Sequence, residues 1–259
     1  MPKSETITSA ANPLLKDLRR AIARGGLTGQ GLSVAETFHL LDEALRSDCE
    51  VTTVLAAESA AARVRVPARV PVVVVSDKLF QSVAATETSQ GVIALVRQRV
   101  WSVEELFRGQ ALVVVLDGVQ DPGHAGTIVR AAEAFGATGV LFLKGTASPF
   151  NPKTLRAAAG SLFRVPFVHG MDEAAACATL EQNRVELFAG VRTGRSAAKV
   201  DLTGRCGLIV GSEARGVGAL LRDRALAVGI PTVAVESLNA AMAAAILLYE
   251  ARRQRTIEP

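Results

Sequence analysis

The 259-residue sequence has only three cysteines, Cys49, Cys177 and Cys206, far apart and odd in number. Their spacing excludes a disulfide framework, and without a C-x-x-C pair it excludes cysteine ligation of zinc; a reducing cytoplasm fits best. His39, His124 and His169 share no metal-ligand spacing, so no metal is expected. Aromatic residues make up 4% of the chain. A core must then be assembled from Ala, Val and Leu, which favours buried strands and small-residue helix packing. Lysine is scarce as well, 6 of the 29 basic residues against 23 arginines. The net charge of +4 is compatible with a polyanionic partner. No basic arm supplies it, because residues 1–98 carry 11 basic and 10 acidic groups and residues 99–259 carry 18 and 15. The longest apolar run, Ala240 to Leu248, is too short to span a bilayer, and the opening "MPKSETITSAANPLL" lacks the apolar centre of a signal peptide. A cytoplasmic protein with no membrane partner is expected.

Three familiar motifs are missing too. No G-x-G-x-x-G with a following acid occurs: Gly123 and Gly126 stand three apart, the third glycine is absent, and no Asp or Glu lies between Glu133 and Asp172. This disfavours a nicotinamide oxidoreductase. No Gly-Lys-Ser/Thr occurs, which disfavours a P-loop nucleoside triphosphatase, and no G-x-S-x-G elbow, which disfavours an acyl hydrolase.

What is present is a repeated alternation of helical and strand patterns. In residues 1–98, "NPLLKDLRRAIA" and "AETFHLLDEALRS" read as helices, and "VTTVLAA", "PVVVVSD" and "GVIALVRQ" read as strands, giving a small α/β domain. Residues 99–110 read as a charged linker with a short helix. From residue 111 to 259 the alternation restarts with "ALVVVLD", "GVLFL", "FRVPFV", "VELFAG", "CGLIVG" and "ALAVGIP" between helices, ending in a long helix from about Asn239 to Arg253. Short apolar runs alternating with helices predict a parallel sheet covered on both faces, and such sheets bind ligands beyond their strands' carboxyl ends. The chemistry is expected in the loops after Leu116, Val210 and Ile230.

Those loops read "DGVQDPGHAGTIVR" (117–130), "GSEARGVG" (211–218) and "IPTVAVESLNAAMAAA" (230–245). In order and spacing they resemble the three motifs of the SpoU (TrmH) family of RNA ribose 2'-O-methyltransferases, within the SPOUT superfamily, and "NPKTLRAAAGSLFRVPF" resembles the family's segment between the first and second motifs. "ITSAANPLLKDL" and "TETSQGVIALV" are similar to the family's N-terminal RNA-binding domain. The resemblance implies an α/β SPOUT domain with a deep trefoil knot, a homodimer paired through that region, S-adenosylmethionine as cofactor, and RNA as substrate, ribosomal RNA rather than transfer RNA.

It also implies site residues. Arg130 matches the family's catalytic arginine. A guanidinium stays protonated in proteins, so its physical role here is a forked contact to a phosphate or a developing alkoxide, not proton removal. Otherwise it is a solvated residue off a stripe formed by Ile128, Ala131, Ala132 and Phe135. Glu213 would orient Arg130 or the substrate, and Ser237 and Asn239 would act at the ribose, either one being also a helix N-cap. Backbone near Gly190, Gly211, Ile230 and Leu238 would hold the cofactor, and Arg156 would contact RNA. Four positions of the three motifs depart from the pattern: His124 stands for Asn, Ala214 for Gly, and Ala240-Ala241 for Val-Ser. His124 is a candidate catalytic residue whose ring can donate or accept a hydrogen bond, whereas alanine at 214 penalises positive φ. The rival reading is a non-catalytic RNA-binding or ribosome-assembly protein that keeps the fold.

Overall fold

The computed structural model describes residues 4–256. They form two compact units, the first running to residue 100 and including 150–164, the second covering 101–149 and the chain from 165 onward.

The first unit runs β1 (Ser4–Ile7), α1 (Pro13–Arg24), β2 (Ser33–Glu36), α2 (Phe38–Arg46), β3 (Glu50–Ala57), α3 (Glu58–Ala61), β4 (Val72–Val75), α4 (Asp77–Gln81) and β5 (Val92–Arg97). Its sheet has the order β1-β4-β3-β5-β2; β1, β4 and β3 are parallel, and β5 is antiparallel to both β3 and β2. Asn12 starts α1 by accepting from the Leu14 amide at 2.9 Å, Pro13 fits the first helical position, and Gly25 closes the helix at φ 60°. Leu15, Leu18 and Ala21 face a core that also holds Val34, Leu55, Phe80 and Ile93. β1 carries no pattern that betrays a strand: "SETI" has one apolar residue, Ile7, and lies at the sheet edge, where pairing comes from the backbone.

The second unit contains β6 (Leu112–Asp117), α5 (Pro122–Ala134) and β7 (Gly139–Leu143). The chain then contributes α6 (Pro152–Ala158) to the first unit, although its sequence reads as continuous with the second domain. β8 (Phe167–Met171), α7 (Glu173–Gln182), β9 (Glu186–Ser196), β10 (Cys206–Gly211), α8 (Ala219–Arg222), β11 (Leu226–Gly229) and α9 (Ala240–Arg255) complete it. The sheet order is β11-β9-β10-β6-β7-β8 and every pairing is parallel. This is the parallel sheet that the six apolar runs predict; Leu112 to Leu116 have no exposure, as strands covered on both faces require. β9 extends past "VELFAG" to Ser196, because β11 pairs with both of its halves across a register shift between Ala227 and Val228.

Residues 101–110, expected as a linker, pack into the second unit instead. A 3-10 turn at Val103–Phe107, capped reciprocally by Ser102 and Glu105, buries Leu106 and Phe107. Leu106 lies so close to Gly139 that a β-carbon there would collide with it. Among the described residues no helix is long and apolar enough to cross a membrane.

Candidate active site

From β6 the chain moves outward on one side of the sheet through β7 to β8, while β10, β9 and β11 lie on the other side. The strand order therefore reverses between β6 and β10, whose ends Asp117 and Gly211 are in register. Parallel sheets open a crevice at such a reversal. The first two motif loops leave from its two sides.

In the first loop Gly118 turns the chain at φ 72°, and Asp117 Oδ2 accepts from the Gly218 amide at 2.6 Å, tying this loop to the second. Asp121 caps α5 by accepting from the His124 amide at 2.8 Å, with Pro122 at the first helical position. Ala125, Gly126, Ile128, Val129 and Ala132 form the buried face. Of the expected stripe, Ala131 and Phe135 are only half-buried, and Phe135 meets Tyr249 edge-on at 5.8 Å. Arg130 is exposed, and its guanidinium has no hydrogen bond or ion pair among the described residues.

In the second loop Ser212 and Gly216 exchange backbone hydrogen bonds of 3.2 and 2.8 Å, and Ser212 Oγ accepts from the Arg215 amide at 3.1 Å. The return of the chain leaves no room for a side chain at Gly211, where a β-carbon would overlap the Gly216–Val217 backbone. Positive φ falls at Gly216 and not at Ala214, so the alanine costs the loop nothing in conformation. Glu213 Oε1 lies 2.7 Å from His124 Nδ1, which joins the first motif to the second.

The third loop ends at Asn239, whose Oδ1 accepts from the Met242 amide at 2.8 Å and caps α9. Its amide nitrogen and the Ser237 hydroxyl make no hydrogen bond among the described residues, and both side chains are exposed. Loops two and three enclose, with β9 and α9, a cavity of about 520 Å³. Gly190, Gly211, Ile230 and Leu238, the four residues expected to hold a cofactor, all line it, as do Glu213, Ser237 and Asn239. His124 and Arg130 do not line it. Val210, Val228 and Leu247 give it apolar walls, and the carboxyl-end backbone, with Ser212, gives it polar ones. Size and lining suit a nucleoside with a short polar tail, the shape of S-adenosylmethionine.

One cavity residue, Arg192, escapes the motif reading. Arg192 Nη1 reaches Glu236 Oε2 at 3.2 Å, both of them lining residues, so an ion pair lies at the cavity wall. Arg192 sits in the unexpected extension of β9; only the basic "VRTGR" after the apolar run hinted at it. Arg156 behaves differently from an RNA contact. It lies in the first unit, half-buried, with Nη1 3.7 Å from Oε2 of Glu36, which is 1% exposed. Of the remaining arginine clusters, Arg63 stacks over Phe38 at 4.4 Å. Arg255 donates to the carbonyls of Leu202, Gln110, Ala111 and Gly204, so it fastens the end of α9.

A parallel α/β unit with a nucleoside-sized cavity beside its strand-order reversal defines a cofactor-binding α/β protein. Comparison with known proteins narrows the class. The model of the SpoU rRNA methylase family matches residues 111–249, and that of an MRM3-like substrate-binding domain matches residues 12–94. The chain belongs to the SpoU rRNA methylase family. It is 33% identical over 254 residues, covering 95% of this chain and 98% of the relative, to 23S rRNA (guanosine(2553)-2'-O)-methyltransferase RlmP of Bacillus subtilis strain 168. An AdoMet-bound rRNA methyltransferase from Sinorhizobium meliloti superposes with a TM-score of 0.84 at 28% identity, over 96% of this chain and 98% of that one. The SpoU methyltransferase AviRb from Streptomyces viridochromogenes, in complex with AdoMet, gives 0.82 at 25% identity, over 94% and 98%.

Proposed function

We propose that the cavity binds S-adenosylmethionine and that the protein methylates a ribose 2'-hydroxyl in ribosomal RNA. It is an RNA 2'-O-methyltransferase. The observation that carries the reading is the meeting of Gly190 from β9, Gly211 from the end of β10, and Ile230 and Leu238 from the third loop in the wall of one cavity that also takes Glu213, Ser237 and Asn239. Bound S-adenosylmethionine supplies an electrophilic methyl group. The protein has to hold the ribose in line with it and stabilise charge on the attacking oxygen. Arg130, exposed and without a protein partner among the described residues, is suited to grip a phosphate or the developing alkoxide with its planar fork. The Ser237 hydroxyl and the spare Asn239 amide group are placed at the cavity to bind ribose oxygens.

The choice of ribosomal RNA rests on the matched substrate-binding domain and on the substrate named for the RlmP relative. Residues 1–98 would supply the RNA-binding domain and residues 111–259 the methyltransferase domain. The family resemblance is the ground for a trefoil knot around the third loop. A homodimer through the same region is supported by the solvent-facing Val233, Val235, Met242 and Tyr249, apolar or aromatic side chains clustered on the third loop and α9. A cytoplasmic location goes with the substrate. Calorimetric titration with S-adenosylmethionine, with NADH as the control ligand, tests the reading. Saturable binding of the methyl donor alone is the expected result, and failure to bind it with or without RNA would overturn the function.

A further inference from the structure

His124 occupies the first turn of α5, its backbone amide held by Asp121 and its ring Nδ1 2.7 Å from Glu213 Oε1. Glu213 lines the cavity, so the imidazole stands one hydrogen bond away from the cavity wall. A carboxylate at this distance accepts from Nδ1–H, which leaves the Nε2 lone pair of the neutral ring available. The side chain is 32% exposed, enough for a substrate group to reach it. An asparagine at this place could make the same contact to Glu213 through its amide, but it would offer no basic nitrogen. Of the site's side chains, Arg130 keeps its protons, and the Ser237 and Asn239 groups are poor bases at neutral pH.

We propose, building on the methyltransferase reading, that His124 is the general base of the reaction and that Glu213 is its positioning residue. As the ribose 2'-oxygen bonds to the methyl carbon, the carbon–sulfur bond breaks with its electron pair going to sulfur, and the hydroxyl proton passes to His124 Nε2. The imidazolium so formed is held by the Glu213 carboxylate and later gives its proton to water. Charges balance without another reagent: the positive charge lost from sulfur appears on the ring. Arg130 then stabilises charge while His124 moves the proton, a division that suits the chemistry of each side chain.

Two measurements test this. In histidine labelled with nitrogen-15, a long-range proton–nitrogen spectrum of the protein without cofactor reads the ring tautomer, the His124 signals being those that vanish in His124→Asn. Nδ1 protonation in the wild type, lost as a preference in Glu213→Ala, is the expected result; a wild-type ring protonated on Nε2 would overturn the proposal. In transfer of labelled methyl to an unmodified 23S rRNA transcript, His124→Asn should keep S-adenosylmethionine affinity within about twofold and lose about 100-fold in kcat, the lower end of what a positioned base contributes. An undiminished kcat in that variant overturns the base and leaves the methyltransferase standing. A wild type that binds cofactor yet transfers no methyl to any RNA overturns both.

Discussion

Two arginines that the motif resemblance assigns, one to the reaction and one to RNA, have opposite surroundings. In the first unit Arg156 faces Glu36, a carboxylate with 1% exposure that also accepts from the Ala85 amide at 2.9 Å and the Thr86 hydroxyl at 2.7 Å. In the second unit Arg130 projects from α5 with no protein partner among the described residues, and the Ser237 hydroxyl and the Asn239 amide nitrogen are unengaged among them as well. The backbones differ in the same sense. The first unit's mixed sheet is closed by β2 and β5 in antiparallel pairing, and Glu36 at the end of β2 is engaged by groups of the same unit. The second unit's parallel sheet ends in loops that must leave the core at one edge, and polar groups collect there without being consumed by folding. Polar groups left exposed and unengaged at the loops of a parallel sheet are thus a better pointer to chemistry than residue type.

Replacing each arginine breaks or sharpens this contrast. Arg130→Ala should reduce methyl transfer by about 1000-fold, the order expected when a group that stabilises transition-state charge is removed, with an unchanged melting temperature. Filter-bound radiolabelled RNA and thermal denaturation check the two halves, and a variant that methylates normally would remove Arg130 from the reaction. Arg156→Ala should act on stability instead. It leaves Glu36 buried without its counter-charge, at a cost of about 1–3 kcal/mol; the low end applies because Glu36 retains two hydrogen bonds and the 3.7 Å pair lacks one. Urea unfolding of the wild type, Arg156→Ala and the double variant with Glu36→Gln measures it, and recovery of stability in the double variant is expected. Unaltered stability in the single variant, coupled with a large loss of RNA affinity, would instead return Arg156 to the RNA-contact role.

The strand runs and motif loops of the second unit were legible because buried parallel strands leave uninterrupted apolar stretches, as in "LVVVL", and because three loops at strand ends carry the polar signature of the site. Gly211 was legible as a motif residue, but the crowding that bars a side chain there comes from its own loop's Gly216 and Val217 and shows only in the fold. What was not legible depends on tertiary placement. Nothing in "RAAAG" says that α6 joins the first unit, so Arg156 reads as exposed until Glu36 is seen beside it. The pairing of His124 with Glu213 joins residues 89 apart in sequence, and only the adjacency of β6 and β10 brings them together. Leu106 and Phe107 are masked by the charges around them, since a short 3-10 turn has too few residues to show a periodic face.

A smaller effect tests how the second unit holds its other helices. Asp172 caps α7: Oδ1 accepts from the Ala175 amide at 2.9 Å, and Lys144 Nζ stands 3.5 Å from Oδ2. The amide bond first, and Lys144 second, hold its carboxyl below the usual carboxylate range. Because the folded state favours the ionised form, this contribution is present above about pH 4 and is lost as the pH falls through the lowered value. Asp172→Asn keeps the cap but removes the charge. The wild type should melt slightly higher at neutral pH, and the gap should narrow as the pH falls below about 4 and Asp172 is protonated. Melting curves across that range decide it. A gap that stays constant would mean that the difference comes from the neutral cap geometry, and that the start of α7 owes nothing to the charge of Asp172.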